Sequence, residues 1–259
     1  MELPEPDPVF RWSSEPWGHA LRCLRLDPVA QHLFTSKQLA LPDAGAWTAA
    51  LESVGATSDR LMRVKQVHGN VVRILKRDQM PADAARQQPD GDGIISNQPG
   101  LALAVMVADC VPILLVDRRG GAAGAIHAGW RGTCARIAST AVDSMHREFG
   151  TNPADLAAAI GPSAGPDDYE VGESLVEAFR AAGHRPEAID RWFIRTQARP
   201  HLNLWAANRD QLIAAGVAPN RIWTSGLSTV SHPAVFSSYR VDGGRAGRMA
   251  AVIVVPIPA

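Results

Sequence analysis

Cysteine is scarce in this chain, and charge of either sign is not in excess. The 259 residues include three cysteines, an odd and widely spaced set that excludes a disulfide framework. Lysine and arginine total 26, as do aspartate and glutamate, so no net field favours nucleic acid or an anionic membrane. The apolar run 101–107 is too short to cross a bilayer, which takes about 20 residues. The acidic, proline-rich start, MELPEPDPVF, is unlike a signal peptide, so we expect a cytoplasmic protein without nucleic-acid or membrane partners.

The stretch 101–133 concentrates the reactive side chains. Its residues are LALAVMVADCVPILLVDRRGGAAGAIHAGWRGT. Apolar runs at 101–107, 110–116 and 122–128 predict buried strands, and RRGG at 118–121 predicts a turn between the last two. Such a hairpin brings Cys110 and His127 to the same end. A thiol beside an imidazole is either a nucleophile with its base or a pair of ligands for one metal ion.

His68 supplies a third donor atom. It lies in KQVHGN (65–70), which we expect to be a hairpin between the extended segments 62–67 and 71–75, with Gly69 permitting the tight turn. Two imidazoles and a thiolate suit a borderline-soft ion with one coordination position open. Because the three residues are distant in sequence, their spacing alone is weak evidence for a metal site, and simple packing is the commoner explanation of a buried Cys or His. Asp90 and Asp92 lie in the polar loop 77–92, where metal ligation and turn chemistry are equal explanations.

An anion site is predicted directly after His127. Residues 129–133 join a strand to a helix that ends at Phe149, and Thr133 is the expected N-cap. Unpaired N–H groups at a helix start, with Arg131 beside them, favour phosphate. A tight turn with Arg131 paired to a structural carboxylate is the equal alternative. Further helices are expected at 44–54, 173–182 and 204–215, and further strands at 32–35, 93–96, 156–161, 223–225 and 250–255, the last two in one closing sheet.

Several motifs resemble those of the YfiH family. They are QVHG at 66–69, PDGDGIISNQPGLALAVMVADCVPILLVD at 89–117, IHAGWRGT at 126–133, IGP at 160–162, YEVG at 169–172, HLNLWAANRDQLIAAGV at 201–217 and FSSYRVDGGRAGRM at 236–249. The resemblance covers nearly the whole chain from about residue 34. Members of this family have been labelled polyphenol oxidases of the multicopper laccase type and, by their better-supported activity, purine nucleoside phosphorylases.

The resemblance implies a fold and an activity. The fold is α+β, with two mixed β-sheets packed between helices in α/β/β/α layers, as a single domain over 1–259 with a proline-rich lead segment at 1–30. The activity is a purine nucleoside phosphorylase that converts adenosine or inosine plus phosphate to free base and ribose 1-phosphate, with adenosine deamination at a zinc site. The implied metal ligands are His68, Cys110 and His127, with copper as the alternative ion.

The resemblance also suggests roles for the residues around these ligands. Gly129 and Arg131 would bind phosphate, and Tyr239 and Arg240 would contact the nucleoside. Asp109 would orient a ligand or transfer a proton, with a structural role as the equal alternative. The oligomeric state is left open.

Three other functions stay open. A copper-dependent polyphenol oxidoreductase is disfavoured because a three-copper cluster conventionally uses His-X-His pairs, and none of the eight histidines forms one. A Cys–His hydrolase acting on peptidoglycan precursors would use His127 or His68 to lower the pKa of the Cys110 thiol. A non-catalytic metal-binding scaffold is favoured by two departures from the family pattern. The loop 36–39 lacks the family's arginine and offers only Lys37, and SAGPDD at 163–168 lacks its cysteines.

Overall fold

The computed structural model describes residues 2–41, 43–77, 88–119, 121–195 and 199–257. Most of the predicted polar loop 77–92 and Gly120 of the predicted turn lie outside these residues. The strands are β1 (Phe10–Glu15), β2 (Gly18–Cys23), β3 (His32–Thr35), β4 (Leu61–Arg63), β5 (Val72–Leu75), β6 (Gly93–Ser96), β7 (Ala102–Val107), β8 (Val111–Asp117), β9 (Ala123–Ala128), β10 (Leu156–Ile160), β11 (Phe193–Arg195), β12 (Pro200–Leu202), β13 (Ile222–Thr224) and β14 (Met249–Val254). The helices are α1 (Ala44–Glu52), α2 (Trp130–Cys134), α3 (Ile137–Phe149), α4 (Glu173–Ala181), α5 (Pro186–Trp192), α6 (Leu204–Ala214) and α7 (Tyr239–Asp242).

Two six-stranded mixed sheets make up the centre of the molecule. The first has the order β1-β2-β3-β14-β7-β4 and the second β13-β10-β8-β9-β6-β5. Three pairs are parallel, β4 with β7, β5 with β6 and β10 with β13, and the other pairs within these sheets are antiparallel. Strands β11 and β12 pair with each other in a separate two-stranded sheet.

Alternation along the buried strands produces the layers. On β7, Leu103 and Val105 join the core between the two sheets, whereas Ala102 and Ala104 pack in the cluster that contains helix α1. Strand β8 behaves likewise on the other sheet, because successive side chains of a strand point to opposite faces. Helices α3, α4 and α6 cover its outer side. The predicted α+β fold with α/β/β/α layers is therefore confirmed.

The lead segment at 1–30 contains a hairpin that the sequence analysis did not predict. Strands β1 and β2 pair across a turn that contains Pro16 and form one edge of the first sheet. The Trp12 ring stacks on Phe236 at a centroid distance of 5.9 Å, and its indole N–H donates to the Pro4 carbonyl. The prolines of this segment favour a loop prediction, but all of them lie outside the two strands and so do not interrupt the pairing.

Two predicted strand arrangements are wrong. The segments on either side of His68 do not form a hairpin, because β4 belongs to the first sheet and β5 to the second. Residues 64–71 therefore cross from one sheet to the other. Likewise β13 and β14 lie in different sheets rather than in one closing sheet. Local hydrophobic pattern identifies a buried strand but carries no information about its pairing partner.

The four predicted helices are present, although the start of one is wrong, and the short helices α5 and α7 were not predicted. Asn203 caps α6 as predicted, with its side chain accepting from the Ala206 N–H. Thr133 is not the N-cap of α3, because it is fully buried inside the short helix α2 and exchanges hydrogen bonds with Asn208. Helix α3 starts after Arg136, which has a left-handed φ of 60°. Within the described residues, no helix has the length and apolarity that crossing a bilayer requires.

Gly161 lets the two sheets approach closely next to Phe34. A Cβ at this position would lie 2.3 Å from the Phe34 ring, so Gly161→Ala forces a shift in a packed core. We expect it to lower the free energy of unfolding by about 1–3 kcal/mol in urea titrations. Gly244→Ala is the control, since no atom lies within 4 Å of its added Cβ. Equal stability of the two variants would contradict the close packing of the sheets.

Candidate active site

Cys110, His127 and His68 lie together at one end of the second sheet. The hairpin of β8 and β9 pairs Val111 with Ala128 and Pro112 with His127, which places Cys110 beside the His127 ring. One donor atom from each of the three side chains lies within 4.8 Å of the other two. The rings of His68 and His127 meet edge to face at a centroid distance of 4.9 Å. The predicted hairpin therefore brings Cys110 and His127 together, and His68 joins them from a distant part of the sequence.

His68 reaches the site through the segment that crosses between the sheets. Its backbone has a positive φ of 59°, an uncommon conformation for a residue other than glycine. The Asp92 carboxylate holds this conformation by accepting hydrogen bonds from the N–H groups of His68, at 2.9 Å, and Gly69, at 2.6 Å. The chain bends at both His68 and Gly69, and the left-handed backbone conformation lies at His68 and not at the glycine.

Asp92 also orients His127. The Nδ1–H of His127 donates to Asp92 Oδ1 at 2.9 Å, so Nε2 is the ring atom that faces Cys110. Asp92 is fully buried, and burial raises the pKa of its carboxyl, but the His127 ring and the backbone N–H groups outweigh burial and lower it. Asp92 was a candidate for metal ligation or turn chemistry. It takes the turn role, because its carboxylate accepts from backbone N–H groups at residues 67–69, and it is not part of the candidate metal group. Asp92 directly precedes β6, and β6 pairs with β9, which carries His127; this pairing brings the two side chains together.

The thiol and the imidazole form an ion pair. Burial raises the pKa of Cys110, but hydrogen bonds from His127 and His68 and their positive charge lower it to about 6. Burial lowers the pKa of His127, whereas Asp92 and Cys110 raise it to about 9. A thiolate faces an imidazolium between these two values. Cys134 differs, because burial raises the pKa of its thiol.

A cavity of about 870 Å³ opens over these side chains. Its size lies near the upper end of the roughly 300–1,000 Å³ range of small-molecule pockets. Aromatic and cationic side chains line it together with the three donors. They are Lys65, Trp130, Arg131, Tyr169, Tyr239, Arg240 and Arg248, with Val64, Gln66, Gln88, Met106, Ala108 and Asp109 completing the wall.

Of the two predicted phosphate-binding residues, Arg131 lines this cavity, whereas Gly129 is not among the lining residues. Arg131 is exposed, and its guanidinium lies over the Trp130 ring at 4.3 Å. Gly129 is buried, and a Cβ there would come within 2.9 Å of Cys110 Sγ. Glycine at this position therefore leaves room for the thiol. Helix α2 has only five residues, so its dipole adds little to the charge of Arg131.

The predicted nucleoside contacts, Tyr239 and Arg240, also line the cavity. Tyr239 is 58% exposed, so its ring is open to a guest molecule. The Arg240 guanidinium lies 4.3 Å over the Tyr169 ring and donates to the Glu170 carbonyl. Tyr169 was not among the predicted site residues, although its place in the YEVG motif was the available signal. The stacked pair presents a flat aromatic and cationic surface to the cavity.

Asp109 makes structural contacts. Its carboxylate accepts hydrogen bonds from the Thr229 hydroxyl at 2.6 Å and from the backbone N–H of Arg240 at 2.7 Å, and Asp109 is 6% exposed. Its φ of 83° is in the left-handed region. These bonds tie the start of α7 to the residue that precedes Cys110, so Asp109 positions Arg240 relative to the thiol.

The two loops that depart from the family pattern contribute no side chain to the cavity wall. The Lys37 ammonium donates to the Pro233 carbonyl, and Lys37 is not among the lining residues. In the 163–168 loop, Ser163 Oγ accepts from the Trp205 indole N–H at 2.6 Å. The Asp168 carboxylate accepts from the hydroxyls of Ser228 and Ser231. Polar contacts stabilise this loop without thiols.

The fold and the site define a class of protein. Residues 45–256 match the family model described as multi-copper polyphenol oxidoreductase laccase, and the chain belongs to this family. The structure of hypothetical protein YfiH from Bacillus licheniformis superposes with a TM-score of 0.85 at 25% identity, over 96% of this chain and 100% of that one. The resemblance to the YfiH family is thereby confirmed.

Curated relatives carry two activity names. A purine nucleoside phosphorylase from Deinococcus radiodurans is 40% identical over 207 residues, which cover 79% of this chain and 74% of that protein. Adenosine deaminase RL5, from an unknown prokaryotic organism, is 36% identical over 200 residues, 74% of this chain and 75% of that protein.

The ion pair predicts an acidic onset of Cys110 alkylation in chelator-treated protein. A pKa lowered to about 6 means that the thiolate is present above that pH, so iodoacetamide should label Cys110 with a midpoint near 6. Asp92→Asn removes the charge that stabilises the His127 imidazolium, and the midpoint should move to higher pH. Cys134 in the same digest is the internal control, with an alkaline midpoint. An unchanged Cys110 midpoint in Asp92→Asn would contradict the coupling.

Proposed function

We propose that this chain is a purine nucleoside phosphorylase that cleaves adenosine or inosine with phosphate and deaminates adenosine as a side activity, with zinc on His68, Cys110 and His127. The observation that carries the proposal is the convergence of these three donors within 4.8 Å beneath a cavity lined by aromatic and cationic side chains. The names of the phosphorylase and deaminase relatives support the choice of substrate. The free thiols suit a reducing cytoplasm.

The donor set fits a zinc ion. Two imidazoles and a thiolate are zinc ligands, and a site with three protein ligands keeps one position open. The lowered pKa of Cys110 supplies the thiolate that such a site needs, and Asp92 fixes His127 with Nε2 toward it. When bound, zinc would lower the pKa of a coordinated water to about 7 and so provide hydroxide for deamination. Copper is the alternative ion for the same donors.

The described residues do not supply enough ligands for the four copper ions of a laccase. Across the part of the chain that the structure describes, these three residues are the one group of at least three His, Cys, Asp or Glu side chains able to share an ion. A laccase-type cluster requires several more imidazoles. The family name therefore does not transfer its oxidase chemistry to this chain.

Arg131 and the aromatic wall account for the two substrates. A guanidinium forms paired hydrogen bonds with phosphate, and Arg131 extends from the turn that packs against Cys110 and Gly69. The Tyr239 ring, which is 58% exposed, offers a face on which a purine stacks. Phosphate and the sugar would thus meet above the three donors, where burial of the bound groups excludes water from the reacting atoms.

A metal-free Cys–His hydrolase is the second candidate, and one observation favours it. Cys110, His127 and Asp92 form a chain of thiolate, imidazolium and carboxylate, the arrangement of a thiol nucleophile with an oriented base. Such an enzyme would use Cys110 to attack an amide, as in the proposed trimming of peptidoglycan precursors. The two candidates exclude each other at any instant, because a thiolate bound to zinc is not a free nucleophile.

Metal content and turnover should change together. Zinc-loaded protein incubated with adenosine and phosphate should release adenine and ribose 1-phosphate, with some inosine, and chelation should abolish all three products. Cys110→Ser should lose bound zinc and at least about 100-fold in kcat/KM, because even outer-shell changes at zinc sites cost 10–100-fold. Cys134→Ser is the matched control. No turnover at full zinc occupancy would reject the phosphorylase, and activity that survives chelation but not Cys110→Ser would favour the hydrolase.

Arg131→Ala should impair phosphate binding selectively. Loss of a charge-assisted contact corresponds to about a tenfold rise in the KM for phosphate, with little change in the KM for adenosine. Arg131→Lys should recover only part of the loss because ammonium lacks the bidentate fork. Arg11→Ala, which removes an exposed arginine of β1, controls for net charge. An equal rise in both KM values would place Arg131 outside the phosphate site.

A further inference from the structure

The cavity wall carries more positive charge than the proposed reaction uses. Lys65, Arg131, Arg240 and Arg248 line it, and Asp109 is the carboxylate that the described wall contains. Asp109 is already occupied by Thr229 and the Arg240 N–H. Arg131 is assigned to inorganic phosphate, and the Arg240 guanidinium stacks on Tyr169. Lys65 and Arg248 remain without a role.

These two side chains flank the end of strand β7. Strand β4 pairs with β7 on one side, Arg63 opposite Ala104, and Lys65 follows two residues later. Strand β14 pairs on the other side, Met249 opposite Val107, and Arg248 directly precedes it. Neighbouring strands lie about 4.8 Å apart, so the two backbones are about 10 Å apart. The Gln66 side chain bonds to both the N–H and the carbonyl of Met106, which fixes this edge.

This pair is separate from the proposed phosphate site. Lys65 and Arg248 extend from the first sheet, whereas Arg131 follows β9 of the second sheet. The Arg131 turn packs on Cys110 and His68, since a Cβ at Gly129 would meet both side chains. The two cationic regions therefore extend from different sheets.

Neither cation is committed to a strong partner among the described residues. The Lys65 ammonium lies 3.5 Å from an Asp90 oxygen, and the two side chains are 71% and 60% exposed, so solvent screens this pair heavily. Arg248 donates from Nη1 to the carbonyls of Ala246 and Gly247 in its own loop. These bonds hold one edge of the guanidinium and leave its charge unneutralised by any carboxylate that the structure describes.

We propose that Lys65 and Arg248 form an anion subsite for a phosphate ester on the sugar of the bound nucleoside, so that the cavity accepts nucleoside monophosphates. This rests on the proposed recognition of purine nucleosides. A phosphate ester carries close to two negative charges at neutral pH and accepts several charge-assisted hydrogen bonds. The size of the cavity leaves room for this group beside inorganic phosphate on Arg131.

Calorimetric titration of the zinc-loaded protein with inosine and with inosine 5′-monophosphate tests the proposal. Phosphate-free buffer prevents phosphorolysis, and neither ligand has an amino group to lose. The monophosphate should bind at least about tenfold more tightly, and this ratio should fall as ionic strength rises. Lys65→Ala/Arg248→Ala should abolish the preference. Arg118→Ala/Arg119→Ala removes the same charge at the opposite end of β8 and should retain it.

Each outcome separates the subsite from the catalytic proposal. Equal affinities in the wild-type protein would overturn the subsite, and so would a preference that Arg131→Ala abolishes while Lys65→Ala/Arg248→Ala keeps it. If the double variant is unfolded by circular dichroism, Lys65→Gln and Arg248→Gln each replace it and should each reduce the ratio. Turnover of adenosine without a preference for the monophosphate rejects the subsite alone. A preference without any turnover rejects the phosphorylase alone.

Discussion

The buried carboxylate of Asp92 is the contact on which the rest of the site depends. It accepts hydrogen bonds from the His127 ring and from the backbone N–H groups of His68 and Gly69. An isolated buried charge is very costly, so these donors are required for the carboxylate to stay ionised. These donors come from two distant segments, residues 68–69 and strand β9. The same carboxylate therefore holds the His127 ring and the backbone of His68. The geometry is therefore set by the protein before any ion binds.

The cavity exists because two sheets end side by side. The first sheet contributes Lys65, Met106 and Arg248, and the second contributes Cys110 and His127. The crossing segment 64–71 joins the sheets at this end and carries His68. Close packing between the sheets, which Gly161 permits beside Phe34, fills the core, and the reactive groups line the cavity instead. Strand ends supply the reactive side chains, while strand interiors supply stability.

Charge in the site is arranged in two ways that have different uses. Near the core, Asp92, His127 and Cys110 alternate in sign, which keeps the thiol ionised and ready either to bind a soft metal ion or to act as a nucleophile. At the opening, arginine and lysine side chains dominate, which favours anionic ligands. A metal ion would neutralise the thiolate and leave the cationic opening unchanged.

The sequence by itself predicted most of the strands of the two large sheets and four of the helices. It also singled out His68, Cys110 and His127, whose donor atoms lie within 4.8 Å of one another. Apolar runs and glycine turns are local signals, and the hairpin of β8 and β9 needs only a local connection to bring Cys110 to His127. Tertiary structure alone decided that β4 and β5 lie in different sheets, that residues 10–23 complete the first sheet, and that Thr133 bonds to Asn208 instead of capping α3. It also decided that Asp92 orients His127 and that Lys65 and Arg248 flank β7. The periodicity of apolar residues indicates which side chains of a strand or helix face the core. The pairing of distant strands depends instead on which surfaces fit each other in three dimensions.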